Sequence, residues 1–261
     1  MLLKNKNAVI YGAGGAIGSK VARALGRKGA KVFLTGHNMK PLAALAKEIK
    51  ATGGVAQVAQ VDALDEQAVE QHATEVARET GHIDISFNLI SIPNIQGTPL
   101  IDLSVEDFAL PVMNFARTHF LTARAAARHT VKKRSGVILM MTTTPDRRAI
   151  PFVGAFGVAC AAIEAFSHTL AAEIGLQGVR VVCLRSTGSP EAAGVHQSFA
   201  KHARAAGITL KQWQANYERQ THLRRLTTLT EVANMAVFVA SDWASAVTGT
   251  AMNLTCGAIV D

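Results

Sequence analysis

The sequence predicts an α/β protein: a doubly wound parallel sheet with helices on both faces, three layers in all. Three observations predict it. Short apolar runs alternate with longer helical patterns along the chain, the rhythm that parallel crossover units impose. The first run, Ala8-Val9-Ile10-Tyr11, passes directly into a glycine-dense turn that opens an amphipathic helix. No unit repeats at about 20 to 50 residues, which excludes a solenoid.

Taken in order, strands are expected near 7–11, 31–35, 55–60, 84–88, 136–142, 179–184 and 250–254. Continuous runs such as Val32-Phe33-Leu34 and Gly136-Val137-Ile138 suit strands covered on both faces. Helices are expected near 16–28, 39–51, 66–80, 105–132, 155–176 and 230–241, the fourth bent near Pro111, whose ring removes a main-chain donor. Residues 185–228 break the rhythm, with Gly188, Pro190 and Gly194 followed by helical, basic stretches. Placed after the sixth strand, this insertion would form a lid over the carboxyl edge of the sheet. The 261 residues, 49% hydrophobic, suffice for one domain spanning 1–261.

The turn Gly12-Ala13-Gly14-Gly15-Ala16-Ile17-Gly18 has the chemistry of a phosphate cradle. Gly12 permits the tight turn, Gly14 and Gly15 let main-chain N–H groups approach an anion, and Gly18 lets the helix lie close to the strand. The positive end of the helix, at Ala16 and Ile17, then faces the phosphates. This is a Rossmann-like arrangement, and it points to a nicotinamide dinucleotide. An acid at the end of the second strand would hold the ribose hydroxyls of NAD, but Thr35-Gly36-His37-Asn38 offers none. NADP(H) is therefore favoured over NAD(H), with His37 and Asn38 available to its 2′-phosphate. Asp62, followed by Ala63, can accept from the adenine amino group or cap the next helix, and Asn88 and Ile90 follow the fourth strand beside the same crevice.

Composition narrows the partners. The formal charge is +8, yet Lys and Arg are dispersed, and two Trp and two Tyr are few for base stacking. A small anionic ligand fits better than nucleic acid. Cys160, Cys183 and Cys256 are odd in number and far apart, which suits reduced thiols and no metal site. No long apolar segment follows the first lysines, so neither a signal peptide nor a membrane span is expected, and the location expected is cytoplasmic.

The chain resembles the short-chain dehydrogenases/reductases over essentially its whole length, from the glycine turn through Val61-Asp62, Asp84-Ile85-Ser86-Phe87-Asn88, Asn114 and Gly136-Val137-Ile138 to Val247-Thr248-Gly249. The family's cofactor pattern, Thr-Gly-x-x-x-Gly-x-Gly, reads here Tyr11-Gly12-Ala13-Gly14-Gly15-Ala16-Ile17-Gly18, with Tyr11 packing its ring instead of hydrogen-bonding. The resemblance implies NAD(P)-dependent chemistry on a carbonyl or alcohol. It also implies a homodimer or homotetramer paired through the helices near 105–132 and 155–176 and the last strand.

At the catalytic positions the chain departs from that pattern. The family's serine, tyrosine, lysine and asparagine fall on Thr143, Phe156, Cys160 and Asn114. Phenylalanine has no proton to transfer, and cysteine is too short to stand in for a lysine reaching the ribose. Ser91 also replaces a glycine in the segment Asn88-Leu89-Ile90-Ser91, and Arg185-Ser186-Thr187-Gly188-Ser189-Pro190 alters the loop beside the nicotinamide. Thr143 keeps a hydroxyl for a substrate oxygen. Substitute acids are scarce: Tyr217 is the one free phenol, while Asp146 beside Arg147 and Arg148 reads mainly as a solvated turn. His119, His168, His196, His202 and His222 read as ordinary histidines, and Arg224-Arg225 as either a clamp for an anionic substrate or a solvated pair. Three functions remain open: an NADP(H)-linked oxidoreductase with an unusual proton source, a non-redox isomerase, dehydratase or cyclase, and a catalytically silent nucleotide-binding or assembly protein.

Overall fold

The computed structural model describes residues 1–260. Seven parallel strands, β1 (Asn7–Tyr11), β2 (Lys31–Gly36), β3 (Val55–Gln60), β4 (Ile85–Asn88), β5 (Gly136–Thr143), β6 (Val179–Ser186) and β7 (Thr250–Leu254), form one sheet in the order β3-β2-β1-β4-β5-β6-β7. The helices are α1 (Ala16–Arg27), α2 (Met39–Ala51), α3 (Glu66–Thr80), α4 (Val105–Lys133), α5 (Phe156–Ile174), α6 (Ala193–Ala205), α7 (Leu210–Arg219) and α8 (Leu229–Ala240). Every expected strand and helix is present. Helix α4 runs continuously through Pro111.

Alternation along the strands sorts the core. Ala8, Ile10, Val32 and Leu34 pack with α1, α2 and α8 on one face, while Val9, Phe33, Ile138 and Val181 pack with α3, α4 and α5 on the other. The order reverses between β1 and β4, so a crevice opens at their carboxyl ends, where doubly wound sheets bind ligands. Register sets what meets there. Tyr11 lies between Thr35 and Asn88, and farther along the same edge Thr143 lies beside Ser186.

The expected insertion folds into α6 and α7, which share a small core of Phe199, Tyr217 and Leu226. Its bounds are tighter than expected, because β6 continues to Ser186. Thr228 and Glu231 form a reciprocal capping box that starts α8. One expectation fails at α3: Asp65, not Asp62, caps that helix, accepting from the N–H groups of Gln67 and Ala68.

Candidate active site

The cradle is made by main chain. The N–H groups of Gly12 and Ala13 both donate to the Thr35 carbonyl, at 3.1 and 3.0 Å, which fastens the turn to β2. Gly12 has φ +76°, and a Cβ there would stand 2.7 Å from the Leu89 carbonyl oxygen. At Gly18 a Cβ would stand 2.2 Å from the Gly12 carbonyl oxygen, so the helix approaches the strand as closely as only glycine allows. No side chain caps α1 at Gly15, leaving its first turn to an outside acceptor. These features fit a pyrophosphate. Tyr11 is buried with its ring edge-on to His72, and burial pushes its phenol up.

A cavity of about 740 Å³ runs from this cradle to α6 and α7. Of the cofactor and catalytic candidates the sequence singles out, Gly15, Ala16, Ile17, Gly18, Asn88, Ile90, Thr143 and Phe156 line it, together with Ser91, Arg148, His202 and Tyr217. Gly12, Gly14, His37, Asn38, Asp62, Ala63, Asn114 and Cys160 lie outside the lining. Asn88 donates to Thr122 on α4 and accepts from the Ile90 N–H, so it shapes the loop beneath the cofactor site. Beyond β2, His37 stands 3.6 Å from Asp62, whose carboxylate accepts from the Leu64 N–H. Asn38 caps α2 by accepting from the Lys40 N–H at 3.0 Å, which occupies its carbonyl oxygen and leaves its amide N–H groups for other partners. Ala63 is buried in the core, Asn114 is half-buried on α4, and Cys160 is fully buried with its thiol pushed up to about 12 by burial.

At the β5–α5 corner three consecutive threonines diverge. Thr142 donates to Glu164 on α5, Thr143 borders the cavity, and the Thr144 hydroxyl meets the Tyr217 hydroxyl at 2.6 Å. Phe156 packs on Phe115 with ring centres 5.7 Å apart, an apolar wall of the cavity. Behind that wall lies a charged network that the sequence pattern does not reveal. Arg185 grips Glu164 with two hydrogen bonds, 2.8 and 2.5 Å, in a fully buried pair. Burial pushes the Glu164 carboxyl up, but the Arg185 and Thr142 hydrogen bonds outweigh it and hold the acid below its ordinary value.

Asp146 joins this network and corrects the expectation of a solvated turn: its carboxylate is 3% exposed. Burial first, then the neighbouring Glu164 charge, push it up to about 6. The arginines also exchange roles. Arg225 pairs with Glu231 and Arg224 donates to the Arg219 carbonyl, and neither lines the cavity, whereas Arg148 does. A glutamate within the apolar middle of helix α5, with an arginine near the end of the apolar strand β6, was the available signal for the buried pair. His119 and His202 are buried and each is pushed down to about 4, chiefly by burial, while His168, His196 and His222 are exposed.

Comparison with known proteins settles the lineage. Residues 12–258 match the family model described as enoyl-(acyl carrier protein) reductase, which spans nearly the whole chain. The chain belongs to the short-chain dehydrogenase/reductase family. An uncharacterized oxidoreductase of Mycobacterium tuberculosis is 28% identical, with 98% of this chain and 92% of that protein covered. Versicolorin reductase 1 of Aspergillus parasiticus is 27% identical, over 98% of this chain and 97% of its own length. In fold, the chain is similar to NAD⁺-bound xylitol dehydrogenase, with TM-score 0.91, 22% identity, and 99% and 100% of the two chains covered. This dehydrogenase/reductase family uses NAD(P)(H), and the relatives named here include oxidoreductases. Among the described residues no helix is long and apolar enough to cross a membrane.

Proposed function

We propose that the protein is an NADP(H)-dependent oxidoreductase of a carbonyl or alcohol substrate whose proton comes from Tyr217 instead of residue 156. One observation carries the reading: the glycine cradle and the Thr143–Tyr217 corner line the same cavity. When bound, the cofactor would supply or accept the hydride. Gly15, Ala16 and Ile17 would hold its pyrophosphate, and Thr143 would hold the reacting oxygen. The Tyr217 phenol, pushed up by burial, stays protonated at neutral pH and has a proton to give. The Arg148 guanidinium, 4.8 Å from the centre of the Tyr217 ring, favours the phenolate left behind.

Support for the phosphorylated cofactor comes from the segment after β2. His37, the free amide of Asn38 and Lys40 in the first turn of α2 offer donors where an NAD site would place an acid. Exposed Phe108, Met113 and Phe120 on α4 with Val158 on α5 support a dimer or tetramer. Titration calorimetry should find NADPH binding more tightly than NADH. With a panel of ketones, Tyr217→Phe should lower kcat by roughly 10²–10³ while leaving NADPH affinity within about twofold. Failure of both dinucleotides to bind overturns the reading, and an unchanged kcat in Tyr217→Phe removes the phenol from it.

A further inference from the structure

We propose that the lid end of the cavity binds the carboxylate of an apolar organic acid through Arg148, so that the substrate is an oxo or hydroxy acid with a hydrophobic body. The reacting carbonyl in this statement rests on the oxidoreductase reading. The carboxylate rests on the cavity alone.

Among the described residues that line the cavity there is no aspartate or glutamate, and Arg148 is the single arginine or lysine. Its Nη1 is buried without an acceptor. Two further groups that line the cavity lack partners. The Trp213 indole N–H has no acceptor, and His202, 4% exposed and 5.2 Å from the Trp213 ring, has no partner at either ring nitrogen. Buried donors left without acceptors are costly, so three such groups around one cavity mark a place that an oxygen-rich ligand completes. The guanidinium fork matches a carboxylate in geometry. One positive charge balances a carboxylate and falls short of a phosphate dianion. The surrounding Ile92, Phe115, Ile150, Phe156, Val195 and Phe199 require that the rest of the ligand be apolar.

The test is titration of the full chain with octanoate, 1-octanol and octyl phosphate, each with and without NADPH. Octanoate should bind at least about tenfold more tightly than octanol. Arg148→Met should erase that preference and keep octanol binding, which also shows that the variant is folded. Trp213→Phe should weaken octanoate severalfold and leave octanol unchanged, an independent arm should Arg148→Met not fold. Equal affinity for octanoate and octanol in the native chain, a preference that survives in Arg148→Met, or tighter binding of octyl phosphate overturns the assignment. An octanoate preference without dinucleotide binding keeps this inference and removes the redox reading. NADPH binding without the preference does the reverse.

Discussion

At the β1–α1 turn the contacts that matter are made by main chain: two N–H groups on one carbonyl of β2, an uncapped helix end, and two glycines pressed against backbone. At the β5–α5 corner, on the same sheet edge, they are made by side chains, with Thr143, Thr144 and Tyr217 on the cavity and Glu164, Arg185 and Asp146 behind it. The difference implies that the two corners tolerate substitution differently. A cradle of backbone has nothing to exchange, because any side chain added at Gly12 or Gly18 strikes main chain. A constellation of side chains can be rebuilt from other residues while the fold stays as it is.

The comparison breaks most sharply at Gly18. Gly18→Ala places a methyl 2.2 Å from the Gly12 carbonyl oxygen and 2.8 Å from the Ala13 Cα, neither of which can swing away. Helix α1 must back off from β1, at a cost of about 3 kcal/mol or more. NADPH affinity should fall roughly a hundredfold, equivalent to about 2.7 kcal/mol. Calorimetry and thermal unfolding read both, and binding within about threefold of the native chain would mean that the cradle is not held by close approach.

The side-chain corner should answer differently, because there a loss can be compensated. Arg185→Met leaves the Glu164 carboxylate buried without its main partner and should cost about 3–5 kcal/mol, whereas Arg185→Met with Glu164→Leu should recover most of that. Urea unfolding of the two singles and the double measures the coupling. If the double variant is as unstable as Arg185→Met alone, the two side chains are not acting as a pair.

This contrast also decides what the sequence could tell. Glycines and apolar rhythm are local signals, so the seven strands, the helix starts and the cradle were legible from residues a few positions apart. The corner depends on residues far apart in the chain. Tyr217 reaches Thr144 from 73 positions away, and Arg185 reaches Glu164 from 21, through strand register and the packing of α7 that no local pattern encodes. Arg148 and Asp146 show the same limit from the other side. Read locally they make a polar turn, while the folded chain buries the acid and turns the arginine toward the cavity. Arg224 and Arg225 look equally poised in the sequence, yet Glu231 and the Arg219 carbonyl claim them.

The smallest of these effects concerns Asp146. Its acid is raised from 3.8 to about 6 in the folded chain, so between those values the native state holds a proton that the unfolded state has released. Stability contributed by this group is therefore greatest at the acid end of that window, declines as pH rises through it, and is gone above about 6. A shift of that size corresponds to at most about 3 kcal/mol at neutral pH, which the network bears as the cost of placing a second carboxylate beside Glu164. Asp146→Asn removes the charge and keeps the shape. It should raise stability by about 1–3 kcal/mol at pH 7.5 and by much less at pH 4.5, as urea unfolding at the two values would show. A gain equal at both would trace to packing. A loss at pH 7.5 would mean that the carboxylate is held by pairing with Arg185, and the corner would then resemble the cradle in tolerating no replacement.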